Sequence, residues 1–529
     1  MLRMVNPNQL YIEDFKLQFG GNLRADNRWV ILSKHMPWDR IEEIYARNFS
    51  KNSGAIGIPS RIAFGAIFAK EHEEWTDRET VQNIMENPYL QYFLGFSEFI
   101  SKAPFDASMM VHFRKRFPTE AINEINELIF DCAAREALER KGRGPSGPPP
   151  NASKKATFRS VIEAAKEAIS GSDPQADMDA EPTNQLPENA ESPVINGRKA
   201  LKNKGKLILD ATCAPADIRY PTDISLLNEA RENTEEIIDI LQPLQPLNRA
   251  QRRQQLKDRK KARGKFRSIT KQRSPGKRKI MAAIGNQLKY IWKNIELIGS
   301  IMLNHGTGAL EEKHLQRIMT VCELYRQQSY MWQTKTHVCE NRIVSLRQPH
   351  IRPIIRGKAG TPYEFGQKIT LSVVCGYTFI EEQSFENINE GATLIESVER
   401  YKQRFGFYPE AVLADQIYRN KNNIKYCKER GIRLSGPPLG RPKEQDKANN
   451  ESQAYRDYCE RNIVEGRIGI SKRRFGLDLI MCYLPETAQT EAALQIMCAN
   501  FSVWMKSFFA FFIQSLLHIF ASKTKIMCF

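Results

Sequence analysis

The sequence predicts an α/β protein: a mixed sheet with flanking helices, preceded by an all-helical N-terminal region and interrupted by a basic helical insertion. Three observations carry this. Apolar runs of strand length end in an acid twice, in KLILDAT with Asp210 and in EAVLAD with Asp415. Between them, GQKITLSVVCGYTFIEEQSF has the pattern of a hairpin, with its turn at Cys375, Gly376 and Tyr377. Residues 1 to about 140, and again about 225 to 340, have helical period instead.

The N-terminal helices are WDRIEEIYARNF, PSRIAFGAIFAKEHEEW, TDRETVQNIMENPYLQYFLGF, SMMVHFRKRF and TEAINEINELIFDCAAREAL. The third opens on Thr76 with Glu79 three residues on, the spacing of a capping box. Short helices with a charged surface suit either a helix-turn-helix-like DNA reader, with Arg78, Arg114, Lys115 and Arg116 as phosphate contacts, or a helical scaffold. Residues 141–200 are rich in Pro, Ser, Gly and acids, so a flexible linker around one short helix near FRSVIEAAKEAI is expected. The sheet occupies 201–224 and 341–500, with the insertion at 225–340 and an apolar C-terminal helix at 501–529. Its second part holds the hairpin, a helix over Leu394 to Phe405, the strand ending in Asp415, a helix near Asn423 to Arg430 and the short strand GIRLSG. Asp210 and Asp415 are expected at the C-terminal ends of their strands, where open α/β sheets place their sites.

Lys and Arg number 78 against 61 Asp and Glu, a net charge of +17 that points to a polyanionic partner. The tract from Arg249 to Lys279 holds 15 Lys or Arg in 31 positions with Asp258 as its single acid, so Arg252, Arg253, Lys260, Lys261 and Arg263 are candidate phosphate contacts. Ten scattered cysteines form no C-x-x-C pair, which fits a reducing cytosol and argues against a disulfide framework or structural zinc. The first residues, MLRMVNPNQLYIEDF, lack the apolar core of a signal peptide. FSVWMKSFFAFFIQSLLHIF is long enough to span a bilayer, but Lys506, Gln514 and His518 interrupt it. A buried or interface helix is expected, with no stable membrane association.

The most specific segment is YCERNIVEGRIGISK. Tyr458, Arg461, Glu465 and Lys472 follow at intervals of three, four and seven, which at about 100° per residue put them within one helical stripe about 60° wide. Glu465 can hold a metal while Arg461 and Lys472 neutralise phosphate oxygens beside it; an ordinary helix face with i,i+4 ion pairs has the same composition. For the first acid, Asp217 and Asp223 compete with Asp210. Asp210 directly follows Leu207-Ile208-Leu209, whereas the others sit in a turn-like stretch with Pro215 and Pro221.

Together these segments resemble the DDE transposases of bacterial insertion sequences. The resemblance rests on the N-terminal helical stretch, DATCAPADIRYPTD, RPIIRGKAGTPYEFGQK, ADQIYRN, RLSGPPLGRP and above all the tyrosine, arginine, glutamate and lysine signature matched at Tyr458, Arg461, Glu465 and Lys472. It implies a ribonuclease-H-like core with Asp210, Asp415 and Glu465 as catalytic and metal-binding residues, two Mg²⁺ ions (or Mn²⁺), and DNA contacts from Tyr458, Arg461 and Lys472. It further implies Mg²⁺-dependent cleavage at element ends, strand transfer into target DNA, terminal inverted repeats as the DNA recognised, a homo-oligomer and a bacterial, nucleoid-associated location. The alternatives are a regulatory DNA-binding protein that has lost catalysis and a nuclease on the same core that cuts without joining.

Overall fold

The computed structural model describes residues 11–17, 20–49, 57–142, 203–355, 363–436 and 447–526. The linker with FRSVIEAAKEAI and the segment RGKAGTP lie outside these residues. Among the described residues the N-terminal region comprises α1 (Arg28–His35), α2 (Trp38–Ala46), α3 (Ser60–Glu73), α4 (Asp77–Glu86), α5 (Pro88–Phe93), α6 (Met109–Arg116) and α7 (Thr119–Gly142). The capping box forms as expected: Glu79 N donates to the Thr76 hydroxyl at 3.2 Å, and Thr76 N donates to Glu79 Oε2 at 2.8 Å. The stretch TDRETVQNIMENPYLQYFLGF is two helices, not one. Pro88 has no N–H to continue the ladder and holds Asn87 extended, and the Asn87 side chain caps the new helix by accepting from Tyr89 N and Leu90 N.

Among the described residues the sheet has six strands: β1 (Lys206–Pro215), β2 (Arg352–Ile355), β3 (Tyr363–Val374), β4 (Tyr377–Ser384), β5 (Ala411–Leu413) and β6 (Arg433–Leu434). Their order is β2-β3-β1-β5-β6, and β4 pairs with β3. β1 runs antiparallel to β3 and parallel to β5, so the sheet is mixed. The hairpin between β3 and β4 turns on two residues, Cys375 and Gly376, at φ 51° and 80°. Positive φ at both is the type I′ signature that matches strand twist, and Tyr377 already belongs to β4. β2, in RPII, was not expected as a strand; it pairs with the first residues of β3 at the edge, where Pro353 is tolerated.

Four helices interrupt the sheet between β1 and β2: α8 (Asp223–Leu241), α9 (Arg249–Thr270), α10 (Lys277–His305) and α11 (Glu312–Thr334). They enclose their own core, with Leu227, Ile237, Ile291, Val321 and Leu324 fully buried. The remaining helices are α12 (Leu394–Phe405), α13 (Lys421–Glu429), α14 (Lys447–Phe475) and α15 (Pro485–Ile526). The apolar C-terminal segment is the second half of α15. Phe501, Trp504 and Met505 are buried, and Lys506 is exposed. Among the described residues no helix is long and apolar enough to cross a membrane. α15 packs against α3, α6, α7 and β4, so one hydrophobic core extends from Phe64 and Phe93 in the N-terminal region to Leu209 and Leu371 in the sheet.

One close approach fixes the register of β1 on β3. A Cβ added at Gly366 would lie 2.1 Å from the Ala214 carbonyl oxygen and 2.7 Å from Pro215 Cα. Backbone cannot yield as a side chain does, so Gly366→Ala should lower stability by roughly 2 kcal/mol or more, read from the midpoint of urea unfolding at unchanged slope.

Candidate active site

The parallel register sets the first two acids. Ile208 pairs with Leu413, so two residues further on Asp210 stands beside Asp415, and both project toward the face that α14 covers. β1 does not end at Asp210, contrary to expectation. Its parallel partner stops at Leu413, while the antiparallel partner β3 carries β1 on to Pro215, leaving Asp210 in mid-strand. Asp210 Oδ1 accepts from Ala211 N at 2.8 Å. Asp415 begins the 3₁₀ turn Gln416–Tyr418 in an extended conformation, with no side-chain capping bond. Asp223, a competing candidate, pairs with Arg342 at 2.7 Å at the base of the insertion.

α14 is laid across these strands by charges at helical spacing. Arg433 pairs with Asp457, Lys206 with Glu460, and Arg461 with Asp415; Val464 is buried against Ile208, Val373 and Leu413. Further along, Lys472 Nζ donates to the Cys213 carbonyl at 2.7 Å. Between them Arg467 turns inward to a buried junction. Its Nη2 donates to Asn500 Oδ1 at 3.0 Å, while Asn500 Nδ2 donates to Thr378 O at 2.6 Å and to Asn126 Oδ1 at 2.7 Å. Burial pulls the Arg467 guanidinium down to about 10. This junction joins α7, β4, α14 and α15. Glu465 remains at the rim with its side chain 57% exposed, and Arg461 Nη2 reaches its Oε1 at 3.5 Å.

Burial pushes the Asp210 carboxyl up to about 6, and the charges of Asp415 and Glu390 add to it; the Ala211 N–H and Arg461 oppose the shift. Glu390 escaped the sequence reading. It lies in the 3₁₀ turn Glu390–Ala392, which Asn420 and Asn423 staple to the Gln416–Tyr418 turn by donating to the Gly391 carbonyl at 3.1 and 2.7 Å. Lys368 pairs with it at 2.9 Å. Tyr418 was also missed: it is wholly buried, and burial first, then the charges of Glu390 and Asp210, raise its phenol. Its signal was its place three residues after Asp415; Glu390 had none, because only the folded turn brings it near.

Two family models match this chain, Transposase DDE domain over residues 412–502 and Transposase domain (DUF772) over residues 18–116. The first spans Asp415, the whole stripe of α14 and the first turns of α15; the second covers α1 to α6. The chain belongs to the DDE-transposase superfamily. A stretch of 117 residues in this superfamily member is 32% identical to a Rhizobium meliloti protein described as "Uncharacterized protein ORF8 in nfe locus", covering 21% of this chain and 56% of that protein. The match thus spans about half the length of that curated relative. No solved structure gives a significant match.

The superfamily implies divalent metal, and carboxylates are the hard oxygen donors Mg²⁺ takes. Asp210 and Asp415 fit as a pair whose negative charge is incompletely balanced. Among the described residues no group of three or more His, Cys, Asp or Glu is placed to hold an ion. Among the described residues Glu465 is linked to the pair through Arg461. Of the remaining sequence candidates, Tyr458 is 57% exposed on α14, and Arg252, Arg253, Lys260, Lys261 and Arg263 are all exposed along α9. Arg114 is corrected: it is 3% exposed and holds Asp77 with both terminal nitrogens at 2.9 and 2.7 Å, so it cannot meet a phosphate. Arg78 and Lys115 are exposed, and Arg116 lies over the Phe49 ring at 4.7 Å.

The junction beneath α14 is testable apart from any chemistry. Asn500→Ala removes two donors and an acceptor from buried partners, and stability should fall by roughly 2–4 kcal/mol in urea unfolding. A loss below about 0.5 kcal/mol would show that Asn500 does not anchor the helix.

Proposed function

We propose that this chain is a transposase that cleaves DNA at the ends of an insertion sequence and joins the freed ends to target DNA, on a ribonuclease-H-like core. The observation that carries it is the register that sets Asp210 beside Asp415 under the helix bearing Glu465. Asp210, Asp415 and Glu465 would hold two Mg²⁺ ions, or Mn²⁺, which when bound activate an attacking oxygen and stabilise a departing one. Water attacks first and releases a 3′-OH. That hydroxyl then attacks a target phosphodiester, forming one P–O bond as another breaks.

The chain's own residues prepare this chemistry. Arg461 neutralises Asp415 and Glu465 and exchanges them for phosphate oxygens when DNA occupies the site. Tyr458, one turn earlier on α14, stacks on a base or bonds a phosphate. Lys472 holds the β1 backbone at Cys213 and so keeps Asp210 in register under the helix. The exposed cations of α9 and of the N-terminal helices track the backbone of double-stranded DNA bearing terminal inverted repeats, and a second copy of the chain brings the other end. This reading places the protein on the bacterial nucleoid in the cytoplasm. A DNA-binding regulator without cleavage is the second reading. The Arg461 bridge favours it, because in this arrangement Glu465 does not reach the aspartates.

Mg²⁺-dependent nicking and joining of a labelled duplex carrying the DNA that flanks the reading frame separates the two. Asp210→Asn, Asp415→Asn and Glu465→Gln should each reduce both products to background while DNA affinity is retained. Binding without any cleavage by the unaltered chain would establish the regulator.

A further inference from the structure

Beyond the end of β1 the chain opens into a cleft of about 1010 Å³ between the sheet and the helical insertion. One wall is the turn after β1, where Tyr220 is 68% exposed and its ring meets Phe365 edge-on at 5.6 Å. Arg317 of α11, Arg347 and, from the basic helix α9, Phe266 also line the cleft. Tyr483, 49% exposed, lines this cleft and also the neighbouring cavity of about 840 Å³, into which Lys472 and Arg473 of α14 face. Tyr483 thus stands between the cavity beside α14 and the cleft that reaches α9.

The lining carries one positive charge in excess, Arg219, Lys313, Arg317 and Arg347 against Asp217, Glu229 and Glu232. Arg219 and Arg347 are exposed, and among the described residues neither has an ion pair. Of the acids lining it, Glu232 is held by Arg231 at 3.0 Å. Glu229 is surrounded by the charges of Arg347, Arg317 and Arg219, although burial still keeps its carboxyl above the usual range. Asp217 is the third acid of the lining. Gln348, 1% exposed, lines the cleft too; its Nε2 donates to the Asp217 carbonyl at 3.3 Å, and its buried Oε1 finds no donor among the described residues.

We propose that this cleft binds a strand of DNA, with Arg219 and Arg347 on its phosphates and Tyr220 and Tyr483 against its bases. Guanidiniums beside exposed aromatic rings are what a strand requires, since every base has a face to stack and every phosphate a charge to neutralise. The inference rests on the transposase reading only in taking DNA as the ligand.

The test is the salt dependence of binding, followed by fluorescence anisotropy with a labelled duplex bearing a single-stranded oligothymidine extension. Each lost single-strand phosphate contact reduces the log–log slope by roughly 0.7, so Arg219→Gln with Arg347→Gln should reduce it by roughly 1.4. Tyr220→Ala should weaken binding of this probe roughly tenfold, and Tyr220→Phe, which keeps the ring, should restore it. Arg252→Gln with Arg253→Gln on α9 provides the comparison. If the unaltered chain binds, the α9 variant loses slope and the cleft variants behave as the unaltered chain, the cleft assignment is overturned and the transposase reading stands. If the unaltered chain binds no DNA, both fall.

Discussion

Three residue pairs of parallel sheet, Lys206 to Ile208 against Ala411 to Leu413, hold together segments about two hundred positions apart. The site depends on that short contact, because its register alone decides that Asp210 neighbours Asp415. A slip of one residue would send every side chain of β1 to the opposite face. Closing so long a loop is less costly than its length suggests, since each doubling adds only about 0.6 kcal/mol. The insertion further limits the cost by folding on its own core, so that the sheet meets a compact body and not a loose chain. β3 secures the register from the other side through eight antiparallel pairs with β1.

Electrostatics then determine what that register can do. Along the sheet-facing side of α14 the charges find partners on β1, on β6 or in the turn after β5, apart from Arg467, which is satisfied by neutral amide and hydroxyl groups. Pairing of this kind positions a helix more than it stabilises one, because desolvation offsets much of the attraction. Asp210 is the exception. It is largely buried, its charged neighbours include Asp415 and Glu390, and among the described residues its one hydrogen bond comes from the adjacent backbone. A carboxyl kept in such surroundings is a cost that a purely structural strand would not carry, and perturbed acids of this sort gather at functional sites.

Much of this was legible in the sequence because it is local. The hairpin follows from a turn sequence that accepts positive φ, the helix Leu394–Phe405 from its period, the Thr76 cap from two residues, and the stripe of α14 from spacing alone. What could not be read depends on contacts between distant segments. β1 passes Asp210 because β3 outlasts β5, Arg114 is consumed by an aspartate 37 residues away, and Glu390 nears Asp210 only because two asparagines pin one turn to another. The break at Pro88 was readable and was overlooked, since apolar period on both sides of it disguised the missing donor.

The same distinction bears on how the N-terminal region relates to the site. Its helices have the composition of a separate unit, yet they share a core with the sheet through α15. Polar contacts reinforce the join: Lys70 of α3 pairs with Glu71 at 2.6 Å and with Glu491 of α15 at 3.4 Å, and Glu491 in turn accepts from Cys482 N at 2.8 Å. Lys70, Glu71 and Glu491 are almost fully buried, so losing Lys70 would leave two buried carboxylates without the cation they share. Cys482 immediately precedes Tyr483 in the segment that joins α14 to α15. The contact that joins the N-terminal helices to α15 therefore also reaches, through Cys482, the segment that sets Tyr483 between the two cavities.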